Sequence, residues 1–263
     1  MSNKNTPTKP RRPNIAPPPP PPKPPAPPPT TGKVVVGPVT KPLRSLVGRT
    51  VGDMGKQTGK PERDYLLLDR SGSMGARWKE ALSAINAYVG ALGSKINTKI
   101  MLAVFDDLYQ VIRNEIHPLQ WRPVTDEEVM PRGSTALNDA IGTIVAQAKA
   151  DNPDKAAIVI MTDSGENASR EITNERAKAL LEECRKRGWQ VIFLGMDFDN
   201  TGMATQYGAD PNQAIAAGKD SLAVTMRKAA EKRVAYAQTG KSISFTDAEK
   251  KDAGRFLLTK RTK

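Results

Sequence analysis

Among 263 residues the chain has one cysteine, Cys184, and one histidine, His117. A lone thiol excludes an internal disulfide and fits a reducing compartment. Cys184 falls in a helical pattern beside charged residues, where a partly buried structural thiol is expected. A lone histidine has no imidazole partner for a metal, so His117 is read as a packing or surface residue. No aromatic residue precedes Tyr65. The N-terminal stretch therefore lacks a stacking platform for single-stranded nucleic acid. No apolar run approaches the length of a membrane span. Met1-Ser2-Asn3-Lys4 is not followed by the apolar stretch of a secretory signal. No internal repeat is evident. These absences lead us to expect a soluble, cytoplasmic chain with no membrane partner.

Proline and positive charge are abundant, and both are unevenly placed. Residues 1–30 hold 14 of the 22 prolines, including Pro17 through Pro22. Such a segment cannot bury enough apolar surface to offset chain entropy, and polyproline II character is expected. Residues 1–63 carry 12 Lys/Arg against 2 Asp/Glu, which supplies +10 of the net +12. The rest is close to neutral. A basic tail binds nucleic acid or acidic surfaces without sequence preference, although a solvated linker has the same composition. The expected organisation is a disordered Pro-rich basic tail and linker over 1–61, an α/β domain over 62–238, and a frayed, polar, Lys-rich tail over 239–263.

Within the domain, apolar runs and helical periodicities alternate. Strands are expected at 64–69, 99–105, 155–162 and 189–195, with a short last strand at 213–217. Helices are expected at 76–93, 136–150, 173–187, 201–207 and 221–238. Asp106-Asp107 reads as a tight turn into a strand from Leu108 to Arg113, making a hairpin. Buried runs separated by helices argue for a mostly parallel sheet covered on both faces, with the hairpin adding one antiparallel edge. Trp78 is expected in the core or at its rim. Trp121, on the long connection 114–132, is expected to line a partner surface. Asp197-Phe198-Asp199-Asn200 opens a turn whose carboxylates suit either a second metal or a helix cap.

The chemistry concentrates in three segments. Asp69-Arg70-Ser71-Gly72-Ser73-Met74 follows the apolar Tyr65-Leu66-Leu67-Leu68 and precedes a helix. An Asp and two hydroxyls spaced two residues apart form an oxygen cage suited to a hard cation such as Mg²⁺. A polar loop capping a helix uses the same residues. Arg132-Gly133-Ser134-Thr135 places a hydroxyl just before the next helix. Ile158-Val159-Ile160-Met161-Thr162-Asp163-Ser164-Gly165 ends an apolar run with an Asp. In open α/β sheets ligands bind beyond the carboxyl ends of strands, where Asp69 and Asp163 fall and which Thr135 can reach.

Together these segments resemble the metal-ion-dependent adhesion site of von Willebrand factor A domains. That family's pattern is Asp-x-Ser-x-Ser, then a Thr, then a Thr-Asp-Gly-like turn. The resemblance covers about residues 62–235. It extends to Thr162-Asp163-Ser164-Gly165-Glu166-Asn167-Ala168-Ser169-Arg170 and to Gly188-Trp189-Gln190-Val191-Ile192-Phe193-Leu194-Gly195, which look like a bacterial and phage subfamily. It implies a Rossmann-like fold and a metal site built from Asp69, Ser71, Ser73, Thr135 and Asp163. It further implies Mg²⁺ or Mn²⁺ held by the three hydroxyls, with the two Asp acting mostly through water. One coordination position would be left for a partner's carboxylate. Ser164 stands where the family usually has Gly, which implies strain if that turn needs a positive φ. Asn138 replaces an apolar residue common in the subfamily.

An enzyme is not expected. The residues around Ser71 do not form a Gly-x-Ser-x-Gly elbow, and no phosphate-binding Gly-x-x-x-x-Gly-Lys-Ser/Thr loop occurs. On count alone His117 permits a Ser-His-Asp hydrolase. Metal-assisted hydrolases usually ligate through carboxylates, whereas this cage is mostly neutral hydroxyls. The expected function is a divalent-metal-dependent protein-binding module in a bacterial or phage-infected cell, binding an Asp or Glu of a partner. Arg70 and Arg132, beside the ligand loops, are candidates to steer that carboxylate. A nucleic-acid-associated factor using the basic tail and a structural component of a phage particle are the alternatives. Analogy adds a ring-forming ATPase of the MoxR type as a possible partner.

Overall fold

A computed structural model describes residues 62–196 and 201–254, the latter without the side chains of Thr201 and Met203. The expectations for residues 1–61, for the Asp197–Asn200 turn and for residues 255–263 lie outside the described residues.

Six strands form one sheet: β1 (Glu62–Asp69), β2 (Thr98–Phe105), β3 (Tyr109–Ile116), β4 (Ala156–Thr162), β5 (Gln190–Met196) and β6 (Ala214–Ala217). Their order is β3-β2-β1-β4-β5-β6, and only the β2–β3 hairpin is antiparallel. The mostly parallel sheet with one antiparallel edge is thus as expected. β4 reads Ala-Ala-Ile-Val-Ile-Met-Thr and is buried throughout, because helices cover both faces of a central parallel strand. The chain builds outward from β1 first through β2 and then, after crossing back, through β4. The switch point of the sheet therefore lies between β1 and β4.

Side chains alternate between two cores across the sheet. Leu66 and Leu68 of β1 join the core under α1 (Trp78–Leu92) and α5 (Leu222–Thr239). Tyr65 and Leu67 join the core under α2 (Leu137–Asp151) and α3 (Asn174–Lys186), to which the short α4 (Thr201–Gln206) adds Ala204. This is the period-two alternation of a strand with both faces buried. Trp78 lies in the first core, with its indole N–H donated to the Val129 carbonyl at 2.9 Å. Cys184 is buried in the second core, and burial pushes its thiol up to about 11.

The C-terminal segment differs from the expected frayed tail. Gly240, at φ 73°, ends α5 in the left-handed conformation and turns the chain back toward the sheet. Ile243 and Phe245 are each 1 % exposed and join the α1/α5 core. The Ile243 N–H bonds Gln190 Oε1 at 2.8 Å, and the Phe245 N–H bonds the Asn212 carbonyl at 2.7 Å. A further helix, α6 (Asp247–Ala253), follows, opened by a capping box between Thr246 and Glu249. The fold continues at least to Gly254. Two isolated apolar residues in a Lys-rich context carry no periodicity, so only their tertiary partners reveal them.

The connection from β3 to α2 crosses the whole domain. Pairing of Tyr109 with Phe105 and of Ile116 with Ile100 shows that β3 runs from the carboxyl end of β2 back to its amino end. His117 then accepts the Leu119 N–H on Nδ1 and caps a short 3₁₀ turn. Asn86 of α1 holds the returning chain. Its Oδ1 accepts the Trp121 indole N–H at 3.0 Å and the Val124 N–H at 2.9 Å, and its Nδ2 donates to the Val124 carbonyl. Trp78 takes the next contact, at Val129, and the Arg132 N–H reaches the Arg70 carbonyl at 2.7 Å. Trp121 is half-buried against the α1/α5 core and committed to Asn86. It braces the connection.

Candidate metal centre

The carboxyl ends of β1 and β4 bring the five expected residues into one hydrogen-bonded network. Asp69, the last residue of β1, is fully buried. Its Oδ1 accepts the Ser71 N–H at 2.7 Å and its Oδ2 accepts the Thr162 hydroxyl at 2.6 Å. Asp69 thus folds its own loop and ties β1 to β4. The loop passes into a 3₁₀ turn over Gly72–Arg77, anchored by the buried Met74. Ser71 Oγ and Ser73 Oγ lie 3.1 Å apart, and Ser73 donates to Asp163 Oδ1 at 2.7 Å. Thr135 Oγ1 lies 3.0 Å from Ser164 Oγ, and the Ser164 N–H bonds Thr162 Oγ1. Through Thr162 and Ser164, therefore, Thr135 joins the same network as Asp69, Ser71, Ser73 and Asp163.

Two loops hold Thr135 in place. Its N–H donates to Asn167 Oδ1 at 2.9 Å, and its carbonyl accepts the Asn167 N–H at 3.0 Å. Glu166 accepts the N–H groups of Asn138, Ala168 and Ser169 as well as the Ser169 hydroxyl. The segment Glu166-Asn167-Ala168-Ser169 therefore clamps the start of α2. Asp139 strengthens the clamp by accepting the N–H groups of Arg170, Glu171 and Ile172. Asn138 is 4 % exposed, and its Oδ1 takes the Tyr207 hydroxyl at 2.6 Å. A polar residue at that position is satisfied by this bond. Ser164 is not among the described positive-φ residues. The turn therefore accommodates Ser164 without the strain that a glycine-like conformation would impose.

Arg70 and Arg132 do not face the cage. Asp106 Oδ2 pairs with Arg70 Nε at 3.0 Å and with Arg132 Nε at 2.7 Å. Burial raises the Asp106 pKa, but Arg132, the Leu108 N–H and Arg70 together hold it below the usual carboxylate range. The two arginines tie the β2–β3 turn to the Asp69 loop and to the segment before Thr135. Among the described residues, the cation that reaches the cage is Arg77, which donates from Nη1 to Asp163 Oδ2 at 2.7 Å. Arg77 follows Ser73 by four residues. That spacing was available in the sequence, but its meaning depends on a 3₁₀ turn that no motif announces.

Burial dominates the electrostatics of Asp69. Desolvation raises Asp69 to about 6, opposed by bonds from Thr162 and Ser71 and assisted by the nearby Asp163 charge. The donor set is oxygen throughout, which suits Mg²⁺ or Mn²⁺ over softer metals. Ligand oxygens at about 2.1 Å in an octahedron stand about 3.0 Å apart along each edge. Among the proposed ligands the Ser71–Ser73 and Ser73–Asp163 separations of 3.1 and 2.7 Å have that scale, which is also that of the hydrogen bonds joining them. Among the described residues no group of three His, Cys, Asp or Glu gathers to hold a metal. A cation here would depend on the hydroxyls, once their protons turn away from one another. On that chemistry the residues fit a hard dication.

A six-stranded, mostly parallel sheet with one antiparallel edge, helices on both faces and this loop cluster at the switch point define the von Willebrand factor A fold. Solved structures share it. The von Willebrand factor domain of the type V pili tip protein Mfa5 from Porphyromonas gingivalis superposes with a TM-score of 0.55 at 13 % identity, over 72 % of this chain and 99 % of that one. The pilus adhesin SpaC from Lactobacillus rhamnosus GG, in an open conformation, gives 0.53 at 13 % identity, over 68 % of this chain and 30 % of that one. A D319A mutant of the minor pilin PilB from Streptococcus sanguinis gives 0.52 at 12 % identity, over 70 % and 64 %. The chain thus spans under a third of SpaC and just under two thirds of that PilB chain. No family model matches the sequence, and no curated protein matches it. Among the described residues no helix is long and apolar enough to cross a membrane.

Proposed function

We propose that the chain is a protein-binding module that captures an Asp or Glu side chain of a partner through a divalent cation. The observation that carries this reading is the network joining Asp69, Ser71, Ser73, Thr135 and Asp163 at the switch point of the sheet. In this reading the hydroxyls of Ser71, Ser73 and Thr135 hold Mg²⁺ or Mn²⁺, and Asp69 and Asp163 act directly or through water. The bound cation supplies a Lewis-acidic position open to an incoming carboxylate. Two carboxylates against a dication, with Arg77 adding a positive charge, leave the centre short of anions. That shortage favours an external Asp or Glu. The exposed Ser73 marks the open side, while Asp69, Ser71 and Thr135 are buried beneath it.

Catalysis by a serine nucleophile is disfavoured by position. His117 follows Ile116, which pairs with Ile100 at the amino end of β2. Asp69 pairs with Phe105, five residues further along the strand and so roughly 17 Å away. The motif likeness around Thr162–Arg170 and the single cysteine support a bacterial or phage-infected cytoplasm as the setting. The basic N-terminal charge supports a secondary contact with nucleic acid. Such a contact should weaken steeply with salt and disappear on deletion of residues 1–63.

Titration calorimetry of the full chain with Mg²⁺ and Mn²⁺ tests the primary reading. Wild type should bind one ion, and Ser73→Ala, altered at an exposed hydroxyl, should bind more weakly by an order of magnitude or more. Equal binding by both would sink the assignment. Partner capture from the native host should then require the ion and fail in chelator.

A further inference from the structure

We infer that Arg77 is an internal counter-ion that competes with the divalent cation for Asp163 and thereby sets the metal affinity of the site. This rests on the metal reading above and goes further, because it assigns a regulator within the chain.

The Asp163 side chain is 1 % exposed, so its charge needs a partner. Both of its oxygens are taken: Ser73 Oγ donates to Oδ1 and Arg77 Nη1 to Oδ2, each at 2.7 Å. Arg77 is positioned by backbone, at the joint between the 3₁₀ turn Gly72–Arg77 and α1, with φ −133° and ψ 13°. The joint is continuous with Ser71 and Ser73, so the residues that would hold the metal and the residue that opposes it lie on one unbroken segment. Arg70 and Arg132 are bound to Asp106 and are not placed to substitute.

A guanidinium paired with Asp163 and a dication held in the hydroxyl cage beside it would repel each other in a poorly solvated site. Metal entry therefore requires Arg77 to withdraw from Asp163 or to tolerate that repulsion. Its side chain is 22 % exposed, which leaves it a route toward solvent. In the metal-free state Arg77 supplies the charge that Asp163 needs, so the loop stays organised without a cation. Once withdrawn, its planar fork suits the same carboxylate that the metal would attract.

The test is Mn²⁺ binding to the full chain, followed by calorimetry and by the electron paramagnetic resonance of free Mn²⁺. The variants are Arg77→Gln, Arg77→Lys and the control Asp163→Asn. Arg77→Gln should bind Mn²⁺ at least tenfold more tightly than wild type. Arg77→Lys, which keeps the charge, should stay within about threefold of wild type. Asp163→Asn should bind weakly whichever residue occupies position 77. In chelator, Arg77→Gln should unfold at lower temperature than wild type, and Mn²⁺ should raise its transition by more. Equal or weaker binding by Arg77→Gln, with wild type binding normally, overturns the role of Arg77 and leaves the metal site standing. Absence of Mn²⁺ binding in every variant overturns both. If Arg77→Gln does not fold in chelator, rescue by Mn²⁺ but not by equal ionic strength of NaCl supports replacement of the guanidinium by the metal. Failure of that rescue counts against it.

Discussion

Arg233 Nε donates to Asp64 Oδ1 at 3.0 Å, and neither side chain has any exposed surface. The pair lies at the amino end of β1, at the opposite end of the strand from Asp69. Asp64 also accepts the Tyr88 hydroxyl at 2.7 Å and the Thr98 hydroxyl at 2.5 Å, while Arg233 Nη1 pairs with Glu62 at 2.7 Å. Burial by itself would lower the Arg233 pKa, but Asp64, Tyr88 and Glu62 raise it overall, so the guanidinium stays charged. One ion pair thus links α5, β1, α1 and β2 beneath the sheet.

Removing one member should leave the other buried without a counter-charge. Arg233→Ala is expected to lower unfolding free energy by about 3–5 kcal/mol. A double replacement of Arg233 and Asp64 by apolar residues should lose less than the sum of the single variants. Urea unfolding of the three variants checks this. Additive losses would mean that the pair is not energetically coupled.

Gly133 precedes the Ser134-Thr135 segment at φ 66°, and a Cβ there would come within 2.6 Å of Asp107 Oδ2. Asp107 can swing away only by giving up the Ser134 N–H that its Oδ1 accepts at 3.2 Å. Gly133→Ala should cost about 1–2 kcal/mol from the left-handed backbone alone. It should also weaken Mn²⁺ binding by shifting Thr135. Thermal melts and Mn²⁺ titration separate the two effects. A variant with wild-type stability and wild-type affinity would contradict the tight approach.

Phe245 lies beyond the expected end of the domain but is 1 % exposed. Phe245→Ala should destabilise the fold by about 3–5 kcal/mol through lost burial and a cavity. Truncation after Gly240 should cost at least as much, since it also removes Ile243 and α6. Both are read from urea midpoints. A truncated chain with an unchanged midpoint would restore the view of this segment as a dispensable tail.

Cys184 should resist alkylation in the native protein. Its thiol is raised by burial to about 11, against about 8.5 for an exposed cysteine. The folded state therefore keeps the proton where the unfolded state releases it. The resulting contribution to stability is present below about pH 8.5 and is lost as pH rises toward 11. Iodoacetamide labelling at pH 8, followed by mass spectrometry, should be slow and should accelerate in step with urea unfolding. Rapid labelling of the folded chain would show that the thiol is reachable.

The strands and helices of the α/β layer were legible because their signals are local. Leu66, Leu68, Val159 and Met161 alternate with Tyr65, Leu67, Ile158 and Ile160, and a strand's two-residue period sends the sets to opposite cores. The proximity of Asp69, Ser71 and Ser73 was legible for a related reason, since five consecutive residues can build one loop by themselves. Thr135 and Asp163 were nameable from motif order, yet their junction with Asp69 depends on Thr162 and Ser164, which only the folded chain brings into contact.

Sequence by itself determined the mostly parallel sheet, the hairpin edge and the oxygen character of the candidate site. These follow from residue periodicity and from donor chemistry, which short segments carry within themselves. Tertiary structure alone decided which charges meet. Arg70 and Arg132, adjacent to the ligand loops in sequence, turn to Asp106, while Arg77 turns to Asp163. It also decided that Ile243 and Phe245 belong to the core and that Trp121 braces Asn86. Each of these contacts joins residues far apart in the chain, so its energy depends on a distance that no local pattern encodes.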